Sequence, residues 1–424
     1  MRGLRRRRVR GLKRPRLLVI APFGSYRTAP FLAAAAEHAD VVLASEGSSA
    51  LVRSDLPGLA LPFSDLEACR RLLTEEARRA GAFRAILGLD DRGTEIAGAL
   101  APLLGLRANA PRAVAIARRK DLARAALAGA RVRVPWHQVL ALDARQPGLA
   151  ALPYPLVLKP VALSGSRGVM RVDDEAALRR GLTRLAAILG ATPGEGGDRA
   201  LVERFIPGIE VALEGLLVGG RLRTLALFDK PEPLDGPFFE ETYYVTPSRL
   251  DDATQEAVRR EVARGARAYG LTEGPIHAEC RINADGVWVI EIASRTIGGL
   301  CGRLLRFGSG RSLEDIVVRH ALGLPLALKR ASGAAGVLMI PIPGLGFLKR
   351  VEGVMAAERV PGIVELVIDA HEGQELVPLP EGASYLGFLF ARGPDPEGVY
   401  EALRTAHGHL RFVLTPSWRG ALTR

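Results

Sequence analysis

Cysteine is scarce in this chain. Cys69, Cys280 and Cys301 are its only three, they form no CxxC pair, and one is left over from any pairing. Neither a disulfide framework nor a cysteine zinc site is suggested. Aromatic residues make up 5%, and the body of the chain carries no basic stripe interleaved with them, so no nucleic-acid partner is expected. No apolar run approaches the ~20 residues of a membrane helix, and no secretory apolar stretch follows the N-terminus, so a cytoplasmic location without membrane contact is the default. G-x-S-x-G, H-E-x-x-H and G-x-x-x-x-G-K-[ST] are all missing, which removes the hydrolase elbow, the zinc peptidase helix and the P-loop.

Lysine is also rare, with six against 52 arginines. A lysine kept in such a background marks a place that wants a compact ammonium rather than a planar fork. The formal charge of +12 is mostly terminal. Residues 1–16 hold nine basic side chains and no acid, so the rest nets +12 − 9 = +3. Residues 1–15 are expected to be a disordered basic tail.

With 424 residues, 48% apolar and 25% charged, the chain has the composition of a soluble protein of two to four domains. Over 16–111, strands RLLVI, DVVLAS and Phe83–Leu89 alternate with helical stretches, which predicts a doubly wound parallel α/β domain. Asp90-Asp91 stands at the end of the third strand, before a Gly93-Thr94 helix start. A helix is predicted over Ala113–Ala130 with Lys120 in its middle. Asp173 is expected to cap a helix burying Leu178, Leu182, Leu185 and Leu189, and Ala191–Arg199 reads as a Gly-rich turn. A central domain is expected over 112–328, with a small lid subdomain over about 130–202. Residues 329–424 are expected to form a separate α+β lobe. The fold class is thus α/β and α+β, multidomain.

Two segments carry chemistry. In YPLVLKPVALSGSRGVM (Tyr154–Met170), a buried strand delivers Lys159 and then the loop Ser164, Gly165, Ser166, Arg167 and Gly168. Backbone N–H groups of such a loop can converge on phosphate oxygens; an ordinary structural loop is the alternative. In PIHAECRINADGVWVIEIASRTIGG (Pro275–Gly299), alternation puts His277, Glu279 and Arg281 on one face. A three-residue hairpin loop, Ala284-Asp285-Gly286, would pair Asn283 with Val287 and set Glu279 opposite Glu291. Like charges so placed repel. A shared proton, an arginine (Arg281 or Arg295) or a divalent cation must relieve them. With a phosphate loop upstream, Mg²⁺ is the better account.

A strand lysine with a serine/glycine loop, the strand ERFI, and two hairpin glutamates leading into EIASR together resemble the ATP-grasp superfamily, over roughly Ala113–Pro325. The run Thr296–Gly323, the FFEET loop and the C-terminal lobe resemble its L-amino acid ligase branch, enzymes that form dipeptides. The resemblance implies an ATP-grasp fold and an ATP-dependent carboxylate–amine ligase that works through an acyl phosphate, with ATP, Mg²⁺ (or Mn²⁺) and small-molecule carboxylate and amine substrates, and with a homodimer as one arrangement. It implies that Lys120 and Lys159 contact the nucleotide phosphates and that Ser164–Gly168 closes over them. Glu203, Arg204, Phe205 and Ile206 would hold the adenine edge, and Glu210 the ribose. Glu279 and Glu291 would bind the metal, and Arg295 would stabilise the acyl phosphate.

Substrate contacts are implied for His277, Glu241, Gly298, Gly299 and Arg303. For His277 a sheet histidine is the alternative, for Glu241 a solvated loop, and for Arg303 and Arg306 a helix end. Ala293 departs from the family pattern, in which Asn is common two residues after the second metal glutamate. The runner-up readings are a biotin-carboxylase- or purine-type enzyme and an ATP-binding regulator without turnover.

Overall fold

In the computed structural model, the described residues are 14–22, 25–46, 58–192, 197–330, 332–382 and 385–416. All but the last two residues of the basic tail, and 193–196 of the glycine-rich turn, lie outside them. The chain divides into two compact units, Met1–Ala108 with Glu314–Leu326, and Asn109–Leu313 with Ala327–Arg424.

The first unit is built on a parallel sheet ordered Gly58–Leu61, Asp40–Glu46, Arg16–Ile20 and Phe83–Gly88. Leu18, Ile20, Val42 and Ile86 pack with Leu73, Ile96 and Leu100 into its core. Asp90 caps the helix Asp91–Leu103 by accepting a hydrogen bond from the Gly93 N–H at 2.8 Å.

The second unit contains an antiparallel sheet of eight strands. Their order is Gly286–Ala293, Gly274–Asn283, Ile209–Val218, Arg221–Lys230, Tyr243–Thr246, Ala334–Ile340, Gly387–Gly393 and Ile363–Ile368. The last three come from the expected C-terminal lobe. They continue the central sheet through the short, wholly buried strand Tyr243–Thr246, while Leu338, Leu389, Val399 and Leu403 pack in a core cluster of that segment. Alternation shows that a strand is half-buried but not which strand it pairs with, and Tyr243–Thr246 is hidden at the end of a proline-rich stretch. Gly346–Glu352, Glu375–Leu376 and Arg411–Thr415 form a separate three-stranded sheet.

Residues of the expected lid form a four-stranded sheet, ordered His137–Ala141, Arg199–Arg204, Leu156–Pro160 and Met170–Val172. The helix Glu175–Gly190 covers it with Leu178, Leu182, Leu185 and Leu189. Asp174, not Asp173, caps that helix, accepting from the Ala177 N–H at 2.7 Å.

The helix expected over Ala113–Ala130 is two helices, Pro111–Arg118 and Lys120–Gly129, with extended backbone at Arg119 between them. Ala113, Ala117, Ala123 and Leu127 all enter one core, so the apolar period runs unbroken across the interruption. The break frees the Lys120 N–H to donate to the Val161 carbonyl at 2.9 Å. Lys120 therefore begins a helix rather than sitting inside one.

Close packing in the first unit makes a test. A Cβ at Gly88 would lie 2.4 Å from backbone atoms of Gly93 and Thr94, and overpacking of this kind costs ~1–3 kcal/mol. Gly88→Ala is expected to lower the urea midpoint of unfolding; an unchanged midpoint would show that this turn yields without cost.

Candidate active site

Period-2 alternation gives the central sheet two unlike faces. Val211, Leu213, Leu217, Ile276, Ala278 and Cys280 turn towards Val258, Val262 and Ala266 of the helix Asp252–Tyr269 and form a core. Glu210, Ala212 and Glu214 on one strand, and His277, Glu279 and Arg281 on its neighbour, therefore share the other face. The register pairs Arg281 with Glu210, Glu279 with Ala212, and His277 with Glu214. Lys230, at the end of the next strand, pairs with Glu210 from the other side. Opposite charges thus meet across the ladder.

Lys230 is the hub of this face. Its buried ammonium donates to Glu210 at 2.7 Å and to Glu241, and lies 3.6 Å from Glu279. Burial lowers its proton affinity, but these three carboxylates outweigh that and raise its pKa well above the usual value. The Tyr244 hydroxyl donates to Glu241 at 2.8 Å. Burial, reinforced by Glu279, pushes the Glu241 carboxyl up to about 7.

Arg281 donates to Glu210 at 2.9 Å, to the Ile206 carbonyl at 2.7 Å and to the Leu234 carbonyl. It also lies over the Phe205 ring, which a second guanidinium, Arg171, approaches as well. Both Glu210 oxygens are therefore engaged in ion pairs, one with Lys230 and one with Arg281. His277 faces Glu214 through Nδ1 at 3.2 Å and Glu279 through Nε2 at 3.6 Å, and the Ile297 N–H donates to the same Glu214 carboxylate at 3.1 Å.

Glu279 is directly opposite Glu291, but by a different path from the one expected. The turn has two residues, Ala284 and Asp285, with Asn283 paired to Gly286. A bulge between Glu279 and Cys280 then adds the missing residue and restores the opposition. Neither glutamate is relieved by Arg281, which goes to Glu210. Instead each has its own lysine, with Lys230 near Glu279 and Lys120 Nζ 3.4 Å from Glu291. Lys120 also donates to the Leu163 carbonyl at 2.6 Å, next to the start of the glycine loop.

The two glutamate side chains are 22% and 31% exposed. They offer hard oxygen donors open to a ligand, a set that fits Mg²⁺ or Mn²⁺. Glu210, Glu241 and Glu279 also bring one oxygen each within 4.8 Å of the others, but there Lys230 already serves as the cation. Ala293 stands opposite His277 and adds no oxygen ligand.

Lys159 belongs to a second cluster. It pairs with Glu203, whose carboxylate also receives Arg124 Nε at 2.8 Å and Nη2 at 3.2 Å. All three side chains are buried. Burial pushes the Glu203 carboxyl up, but Arg124 and Lys159 outweigh it and hold it at about 2. Glu203 is thus a counter-ion to both Arg124 and Lys159. Arg204, Phe205 and Ile206 follow at and beyond the end of its strand.

The loop Ser164–Gly168 turns through positive φ at Gly165, Ser166 and Gly168. It is held by the Gly168 N–H on the Pro380 carbonyl and Arg167 Nε on the Glu381 carbonyl, both at 2.9 Å. Arg295, just past the Glu291 strand, donates to the Thr296 carbonyl at 3.1 Å. Gly299 has φ +58°, and a Cβ there would come within 2.8 Å of the Phe388 ring. Gly298 precedes it in the same turn. Arg303 is not brought to the charged face; it makes a half-exposed ion pair with Glu365 at 2.9 Å.

Sequence reasoning missed Arg124, Glu214 and Tyr244 as site residues. One had a signal: Arg124 lies one helical turn after Lys120.

Residues 152–303 match the ATP-grasp domain family, and residues 338–415 match L-amino acid ligase C-terminal domain 2. An uncharacterized protein of Sinorhizobium fredii, y4rH, is 26% identical over 299 residues, which cover 70% of this chain and 61% of that protein. Alanine–anticapsin ligase of Bacillus subtilis is 27% identical over 213 residues, covering 46% and 44%. The chain thus spans about half the length of these curated relatives. The crystal structure of L-amino acid ligase from Bacillus licheniformis superposes with a TM-score of 0.78 at 24% identity, covering 96% of this chain and 100% of that one.

The Glu203 cluster sets a stability test. Glu203→Gln leaves two buried cations without their counter-ion, a change that costs about 3–5 kcal/mol. The ionised Glu203 stabilises the fold above its ordinary pKa of about 4.3. That contribution fades as pH falls towards the native value of about 2. Urea titrations should therefore show a large gap between wild type and variant at pH 7 that narrows below about pH 4.5. A gap constant over that range would contradict the assignment.

Proposed function

We propose, for a chain that belongs to the ATP-grasp superfamily and carries an L-amino acid ligase C-terminal domain, that it is an ATP-dependent carboxylate–amine ligase joining L-amino acids or close analogues. The observation that carries this reading is the opposed pair Glu279 and Glu291, flanked by Lys230 and Lys120 and lying on the same sheet face as His277. The reaction requires no protein nucleophile; the groups present bind, orient and neutralise.

In the first step a substrate carboxylate oxygen attacks the γ-phosphorus of ATP, the bond to ADP breaks, and an acyl phosphate forms. In the second, an amine nitrogen attacks the acyl carbon and loses a proton, and phosphate leaves with the original carboxylate oxygen. Lys120 and Lys159 neutralise the nucleotide phosphates, and the N–H groups of Ser164–Gly168 cover them. The backbone of Arg204–Ile206 holds the adenine edge. Arg295 stabilises the negative charge that builds on the transferred phosphoryl group. Glu279 and Glu291 would hold Mg²⁺, which when bound supplies charge neutralisation and Lewis acidity at the phosphates. Glu241, His277 and the turn Gly298-Gly299 face the amino-acid substrates.

Purified protein with ATP and Mg²⁺ is expected to release phosphate only when suitable amino acids are added, with a dipeptide mass in the products. Phosphate release that needs bicarbonate instead would make the chain a carboxylase-type enzyme, and nucleotide binding without turnover across an amino-acid panel would make it a regulator. Glu291→Ala should lower turnover by at least about a hundredfold, since a charge-stabilising group in the transition state is worth that much. Full activity in that variant would remove the metal assignment.

A further inference from the structure

We propose that Arg124 is a positioning residue for nucleotide binding, which acts on Lys159 through Glu203 and ties that lysine to the strand bearing Glu291. The proposal rests on the nucleotide-binding reading above and adds a residue to it.

Arg124 uses its whole fork. Nε and Nη2 reach the two oxygens of Glu203, and Nη1 donates to the Val289 carbonyl at 3.3 Å. Val289 lies two residues before Glu291 on the same strand. Arg124 also belongs to the helix that begins with Lys120, so one guanidinium links the helix of the first lysine, the counter-ion of the second, and the metal-bearing strand.

Geometry explains why this matters for Lys159. A lysine ends in a flexible four-carbon stem and a point charge, which by itself has no preferred direction. Glu203 Oε1 is its partner on the neighbouring strand of the four-stranded sheet, where Val157 pairs with Glu203 and Lys159 with Leu201. A carboxylate bound by a planar fork has its own plane fixed, so the oxygen offered to Lys159 is fixed too. Without the fork, Glu203 turns, and the ammonium loses its anchor next to the phosphate loop. Lysine in place of Arg124 would keep the charge but could reach Glu203 at one point only and would lose Val289.

Calorimetric binding of a non-hydrolysable ATP analogue with Mg²⁺ to the full chain tests this in wild type, Arg124→Lys, Arg124→Gln, Glu203→Gln and the double variant R124Q/E203Q, each checked for folding by thermal unfolding. Arg124→Lys is expected to weaken binding roughly tenfold, the scale of one lost charged hydrogen bond, while the KM for amino-acid substrates stays within about twofold. The double variant is expected to bind no more weakly than Glu203→Gln alone, because Arg124 acts through that carboxylate. If Arg124→Gln does not fold, Arg124→Lys and Glu203→Asp, which keep every charge, carry the same comparison. Wild-type affinity in folded Arg124→Lys, or additive losses in the double variant, would overturn the positioning role and leave nucleotide binding intact. Failure of the wild type to bind the analogue would instead overturn the functional reading and this proposal with it.

Discussion

Two carboxylates that face each other across an antiparallel ladder repel unless a cation or a shared proton relieves them, and the charged face of this protein follows from that constraint. Glu279 and Glu291 are forced into opposition by a bulge in their hairpin, and directly opposed like charges destabilise a sheet. The chain answers with lysines from two other elements, Lys230 from the strand Arg221–Lys230 and Lys120 from the start of a helix. Each is held by further groups, Lys230 by Glu210 and Glu241, and Lys120 by the Leu163 carbonyl. The pair remains partly open to solvent.

Register does the rest. A one-residue slip of Gly274–Asn283 against Ile209–Val218 would send His277, Glu279 and Arg281 into the apolar core and bring Ala278 and Cys280 out. Burial of Ile276, Ala278 and Cys280 against the helix Asp252–Tyr269 forbids that slip, and so fixes where every charged group on the other face must stand. The same sheet runs through Tyr243–Thr246 into Ala334–Ile340, Gly387–Gly393 and Ile363–Ile368. Glu241 and Tyr244, next to Lys230, lie at the start of that bridge, so the C-terminal segment extends the sheet on which the site is built.

Local chemistry was legible in the sequence, and long-range pairing was not. The rarity of lysine pointed to Lys159, the alternating pattern put His277, Glu279 and Arg281 on one face, and the EIASR run marked Arg295. The Glu279–Glu291 opposition was right although the turn was one residue too long, because a bulge replaced the residue the turn lacked. The helix break at Arg119 was invisible because the apolar period continues across it. Partners of Glu203 and Glu210 lie 79, 20 and 71 residues away in sequence. Only the folded register reveals that Arg124, Lys230 and Arg281 occupy carboxylates that otherwise look free to meet a nucleotide.

The central claim is that the opposed glutamates and their lysines serve phosphoryl transfer from ATP to a carboxylate. Supplying an amino-acid substrate labelled with ¹⁸O in its carboxyl group, with ATP, Mg²⁺ and an amine partner, tests this directly by mass spectrometry of the released phosphate. Transfer of one ¹⁸O per turnover into phosphate is the predicted result, since the acyl phosphate leaves with the original carboxylate oxygen. Phosphate free of label during dipeptide formation would contradict the account.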